Sequence, residues 1–119
     1  MRPLISDAQG RLLRAISSWL RARMDGVAHH GSPPAMVVED MTSQAWASAT
    51  FNGQQHQVTI RIEGIGRGVV DGLIAGLGEA ELYVPGHVVA DVALLEHRMH
   101  DDEGAQVHHL MLEVLTVAD

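Results

Sequence analysis

Cysteine and lysine are both absent from the 119 residues. Without cysteine there is no disulfide, no thiolate zinc site and no thiol nucleophile, and nothing points to an oxidising compartment. Without lysine every one of the basic side chains is an arginine, which reads as a compositional trait. Aromatic residues are scarce at 3%: Trp19, Trp46, Phe51 and Tyr83. The core must therefore come from Val, Leu, Ile, Ala and Met. Each of these buries less area than an aromatic ring, so a chain of this size gains stability by oligomerising. No apolar run reaches the roughly 18 residues of a membrane span. The N-terminus lacks the apolar stretch of a secretory signal, so a cytoplasmic protein is expected.

What is present describes one α+β domain over residues 1–119. The charge is uneven. Arg2, Arg11, Arg14, Arg21 and Arg23 stand against Asp7 and Asp25 in the first 25 residues, while the acidic body, residues 36–119, carries Arg61, Arg67 and Arg98 against an excess of acids. An acidic body lacks the basic footprint of a nucleic-acid-binding protein, and no such partner is expected. The basic segment suits an acidic surface, and the nearest is this protein's own body or a sister subunit's.

Ser6 and Gln9 have the spacing of a capping box. Behind them Leu12, Leu13, Ile16, Trp19, Leu20 and Met24 recur at helical spacing, which predicts a helix over about 7–25 with Arg11, Arg14, Ser18 and Arg21 on its far face. The face is basic enough to suit a membrane surface, but a solvated outer face explains it, and no membrane partner is expected. A Gly- and Pro-rich loop, GVAHHGSPPA, follows and holds His29 and His30.

Asn52-Gly53 between two extended runs predicts a hairpin with a two-residue turn. That register places Ala49 opposite His56, Ala47 opposite Val58 and Ala45 opposite Ile60 on one buried face. Trp46, Ser48, Thr50, Gln57, Thr59, Arg61 and Glu63 fall on the other. Trp46 is out of place there, either as an interface anchor or lying over the stem of Arg61. A second helix is predicted over about Gly68–Glu79, then strands over His87–Met99 and Gln106–Val117. Val88–Leu95 and Leu110–Val117 are apolar on both faces apart from Asp91 and Glu113, so each side needs a cover. Helices supply one, and a second subunit would supply the other. The expected fold is a two-layer α+β sandwich of order α-β-β-α-β-β, an antiparallel sheet with two helices packed on one face.

The glycine-rich stretch EGIGRGVVDGLIAGLGEAEL resembles a nucleotide loop only in outline. Asp71 stands where the dinucleotide pattern needs glycine, the Gly-Lys-Ser/Thr ending is missing, and the preceding strand belongs to a hairpin. On a helical wheel Val69, Val70, Leu73, Ile74 and Leu77 form one stripe. Gly68, Gly72 and Gly76 form another, a smooth face suited to close approach by the first helix or by a symmetry mate. Those glycines and Trp46 are the expected interface residues.

Three functional readings follow. The first is a non-enzymatic, homo-oligomeric binding or assembly module, needing no cofactor. The second is a small-molecule-binding protein or small enzyme with a site between sheet and helices. Its residues would be Asp91, which interrupts an apolar strand and needs a partner if buried, with Tyr83 and His87. The third is metal binding at the C-terminal hairpin by His97, His100 and His108, with Glu96 near His109. No serine lies in a Gly-x-Ser-x-Gly turn, so no hydrolase nucleophile is legible.

Overall fold

The computed structural model describes residues 7–26 and 34–118. Ser6, His29 and His30 lie outside them. The order is α1 (Asp7–Met24), β1 (Ala35–Ala47), β2 (Asn52–Glu63), α2 (Arg67–Gly78), β3 (His87–Asp102) and β4 (Ala105–Ala118). The strands form one antiparallel sheet in the order β1-β2-β4-β3, so each hairpin contributes a central and an edge strand. Both helices cover the same face. No helix among the described residues is long and apolar enough to cross a membrane.

The covered face is built from the even positions of the central strands: Val58, Ile60 and Ile62 of β2 with Leu110, Leu112 and Val114 of β4. Leu12, Ile16, Leu20 and Met24 of α1 pack on it at four-residue intervals, joined by Val70, Leu73 and Leu77 of α2. Full burial of each such aliphatic side chain contributes about 1.5–3 kcal/mol. Val69 falls at the rim of α2 and is exposed.

The edge strands depart from simple alternation at three places, and all three obey one rule. β1 has a bulge between Val38 and Asp40; β3 has bulges between Val89 and Asp91 and between Leu94 and Glu96. Val38, Val89 and Leu94 face the helices. Strict alternation would carry Asp40, Asp91 and Glu96 inward two residues later. Each bulge inserts one residue (Glu39, Ala90, Leu95), reverses the phase and turns the acid outward, while Met41, Val92 and His97 point in. All three acids are exposed. An unpaired carboxylate in the core would cost several kcal/mol or be forced neutral.

The predicted N-terminal hairpin has the right alternation and the wrong register, and its alanines are not buried: Ala45 and Ala47 are exposed on β1 and Ala49 lies in the turn. His56 pairs with Ser43, not Ala49, and Val58 with Met41. The turn is Ser48–Phe51, closed by Ser48 N–H donating to the Phe51 carbonyl at 2.7 Å and Phe51 N–H donating to Ser48 Oγ at 3.0 Å. Asn52 and Gly53 begin β2 instead. Gly53 lies opposite Trp46, and a Cβ there would meet the indole at 2.8 Å and strike the Thr116 carbonyl. The glycine is spent on letting a ring cross the strand rather than on turning the chain. Because the slip is even, the side chains that remain in the strands keep their faces, while Ser48, Ala49 and Thr50 fall in the turn. Trp46 lies over Gly53 and away from Arg61, which faces Val37 and pairs with Glu39 and Glu63.

The second hairpin closes on Glu103-Gly104, with φ of 50° and 87°, the pattern of a tight primed turn. β3 and β4 run past the end of β2, whose Glu63 pairs with Val107, so Asp101–Ala105 project as a narrow tip. At the other end of β3, Val84-Pro85-Gly86-His87 makes a turn in which Gly86 has φ 83° and His87 N–H donates to the Val84 carbonyl at 3.0 Å.

Deleting Leu95 should leave a regular ladder in which Leu94 still faces in and Glu96, now its direct neighbour, still faces out, so the expected cost is no more than about 1 kcal/mol. Leu95→Ser should likewise shift stability by no more than about 1 kcal/mol, because that side chain is about half exposed. Gly53→Ala should cost about 1–3 kcal/mol through overpacking. Urea denaturation of the three variants checks all of this.

Candidate functional site

α1 is amphipathic, and its outer side faces the connection leading into β3. Arg11, Arg14, Ser18 and Trp19 form one wall of an open groove of about 610 Å³, with Glu81, Leu82, Tyr83 and Pro85 forming the other. Arg11 donates to the Pro85 carbonyl at 3.5 Å. The Arg23 guanidinium lies 3.8 Å over the Trp19 ring and donates to the Trp19 carbonyl at 3.2 Å. Tyr83 is 82% exposed, an uncommon position for the only tyrosine of an aromatic-poor chain. Among the described residues Arg11, Arg14, Arg21 and Arg23 have no carboxylate within 4.0 Å, whereas Arg61 has two and Arg67 and Arg98 one each. The groove thus combines arginines that lack an acidic partner among those residues with aromatic surface, the composition that favours protein contacts.

Beneath the N-terminal half of α1 runs a chain of polar groups absent from the sequence-based expectation. Gln9 Nε2 donates to Ser43 Oγ at 2.6 Å, and Ser43 Oγ lies 2.6 Å from His56 Nδ1. On the far side His56 Nε2 is 3.1 Å from Thr116 Oγ1, which donates to the Gln54 carbonyl at 3.3 Å. Since Thr116 gives its proton to Gln54, it accepts from Nε2–H, and Nδ1 accepts from Ser43. These contacts suit a neutral imidazole that carries its proton on Nε2. Burial lowers its pKa, and the neighbouring His87 lowers it further. Serine and histidine are the residue types of a nucleophile and its base. Here the serine oxygen is occupied by Gln9, and the far ring nitrogen meets a hydroxyl instead of an orienting carboxylate. The chain ties α1 across three strands. Alternation alone placed His56 in line with Val58 and Ile60; its partners depended on the register.

The histidines of the C-terminal hairpin separate by face. His97 and His108 point toward α2, with His97 Nε2 2.9 Å from His108 Nδ1, and Asp71 of α2 is 3.8 Å from His97 Nδ1. His108 is fully buried, and burial followed by repulsion from His97 lowers its pKa. His100 stacks on His109 at 5.2 Å on the opposite face, where His109 Nδ1 meets Glu39 Oε1 at 3.1 Å and Glu96 takes Arg98. Thus His97 and His108 are brought together and His100 is not. No group of three His, Asp or Glu able to hold a metal ion exists among the described residues.

Asp91, Tyr83 and His87 also stand apart. Asp91 is exposed on the outer face opposite Leu115, His87 is on the helix-covered face with Nδ1 3.4 Å from the Pro85 carbonyl, and Tyr83 projects from the connection. Of the glycine stripe, Gly76 meets Trp19 of α1, where a Cβ would lie 3.0 Å from the ring, while Gly68 and Gly72 have open space. At the start of α2, Arg67 is paired with Asp71 at 3.8 Å. The outer sheet face bears Met111, Leu115 and Val117 of β4, framed by Gln55, Gln57, Thr59 and Arg61 of β2. It is mixed rather than uniformly apolar. On β3, Val88, Leu94, Leu95 and Met99 are exposed.

No family model matches the chain, and no curated protein matches it. Among solved structures it is similar to a chain from the virion of a native gene transfer agent particle, with a TM-score of 0.65 and 15% identity over 94% of this chain and 98% of that one. At this identity the likeness is one of fold, and it runs nearly end to end.

The two buried histidines set a pH dependence. Their pKa values are lowered on folding, so the unfolded chain binds more protons below the ordinary histidine value of about 6.5. Their contribution to stability is complete above that value and is lost as the pH falls toward the depressed folded values. Melting temperature should fall between about pH 7 and pH 5, and His56→Gln should flatten part of that slope in a calorimetric series.

Proposed function

We propose that this chain is a non-enzymatic assembly module, a structural subunit that joins further copies of itself in a particle. The observation that carries the reading is the near-complete, two-way coverage between this fold and a chain of a virion. The shared unit is the whole domain rather than an embedded fragment. The surface supports it. β3 is a 16-residue edge strand whose outer edge has no neighbour among the described residues. It exposes Val88, Leu94, Leu95 and Met99. Long edge strands with apolar side chains are sites of pairing with other chains unless something covers them. The core is made of aliphatic residues, and association removes such exposed area from water. The polar chain through His56 and the dispersed positions of Asp91, Tyr83 and His87 fit a scaffold better than a reaction centre.

Sedimentation velocity and native mass spectrometry over a concentration series are expected to show species at integer multiples of 12.9 kDa that grow with concentration. A single 12.9 kDa species across the series would overturn the proposal.

A further inference from the structure

Among the described residues, the two ends of β3 carry concentrations of opposite charge without a carboxylate or guanidinium partner. At one end is the groove beside α1, with Arg11 and Arg14 on one wall and the single acid Glu81 on the other. The groove adjoins the start of β3, since Glu81–Pro85 lead into His87. At the other end of the same strand the hairpin tip carries Asp101, Asp102 and Glu103, all exposed. None of these three has a cation within 4.0 Å among the described residues. Sixteen strand residues separate the two ends by about 50 Å at about 3.3 Å per residue, so the tip cannot reach its own groove.

We propose that copies of this chain join head to tail, the acidic β3–β4 tip of one seating in the Arg11–Arg14 groove of the next. The inference rests on the multi-copy reading above and deepens it by naming the contact. The occupant is a second copy because the complementary charges belong to one sequence and lie where only another molecule can bring them together. The tip suits the role in shape: its two-residue turn is narrow, and it stands clear of β2. Trp19 and Tyr83 supply apolar walls around the charges, and burial of aromatic surface beside a desolvated ion pair is where binding energy concentrates. A contact between two different patches is heterologous. It propagates to a ring if the rotation closes and to a filament if it does not.

The test uses two charge-reversed full-length variants, R11E/R14E and D101R/D102R. Both pairs of residues are exposed, and circular dichroism checks that each variant is folded. Each alone should need at least about tenfold more protein for half-assembly than the wild type, because like charges then face each other. Mixed in equal amounts, they should assemble again. The reversed groove accepts the reversed tip, the unaltered tip of the first fits the unaltered groove of the second, and the product alternates one to one in the native mass spectrum. Wild-type assembly should also weaken as sodium chloride is raised. Wild-type association by either folded variant alone overturns the inference and leaves the multi-copy reading intact. So does failure of the folded pair to assemble when mixed. Loss of assembly in R11E/R14E but not in D101R/D102R overturns it too, assigning the groove to another acidic partner. A wild type that never associates overturns both.

Discussion

Two helices close one face of the sheet, and a carboxylate placed beneath them would lose its hydration with no cation to replace it. The cost of that transfer is large compared with the net stability of a small domain, so it constrains the path of every strand. The central strands meet the constraint by composition, with aliphatic residues, His56, His108 and Thr116 filling the covered positions. The edge strands meet it by geometry. Each bulge follows an inward aliphatic residue and precedes an acid. The same devices bend and twist the edges, which restrains indiscriminate pairing along them. Charge exclusion from the core therefore shapes the very surfaces on which association is argued.

Much of the architecture was legible in the sequence because burial imposes a period. Leu12, Ile16, Leu20 and Met24 on α1, and the even positions from Val58 to Ile62 on β2, show it plainly. Register was harder. Asn-Gly has strong turn chemistry, but the space required by Trp46 over Gly53 is a tertiary demand with no local trace. The bulges explain why Asp91 looked like an interruption of a buried strand: periodicity assumes one phase, and β3 has three. His97 and His108 were legible as neighbours because they share a face close to the turn, although they meet diagonally: His97 pairs with Leu110, His108 with Met99, and Arg98 rather than Glu96 lies opposite His109. The Ser43–His56–Thr116 contacts were not, since they required the register that the turn signal misplaced.

The glycines of α2 show the limit of reading a face as a function. Three lie on one stripe, yet they have different surroundings. Gly76 lets Trp19 approach and so joins the helices to each other. Gly68 and Gly72 meet nothing, and in isolation they cost helix stability relative to alanine. The basic side of α1 gained its meaning differently. Four arginines on a helix are ordinary as a solvated face, and only the placement of Glu81–Pro85 alongside turns two of them, Arg11 and Arg14, into the wall of a groove.

The β2–β4 seam has a kinetic side. Gly53 pairs with Val117, and the two hairpins share backbone hydrogen bonds only along this seam. Each hairpin can zip locally, but joining them requires closing long loops of chain before any hydrogen bond repays the lost entropy, so topology of this kind slows folding. Until that closure the inner edges of β2 and β4 are bare, and neither has the bulges that the outer strands carry. A nascent chain is thus most exposed to mispairing at the strands that end up best protected.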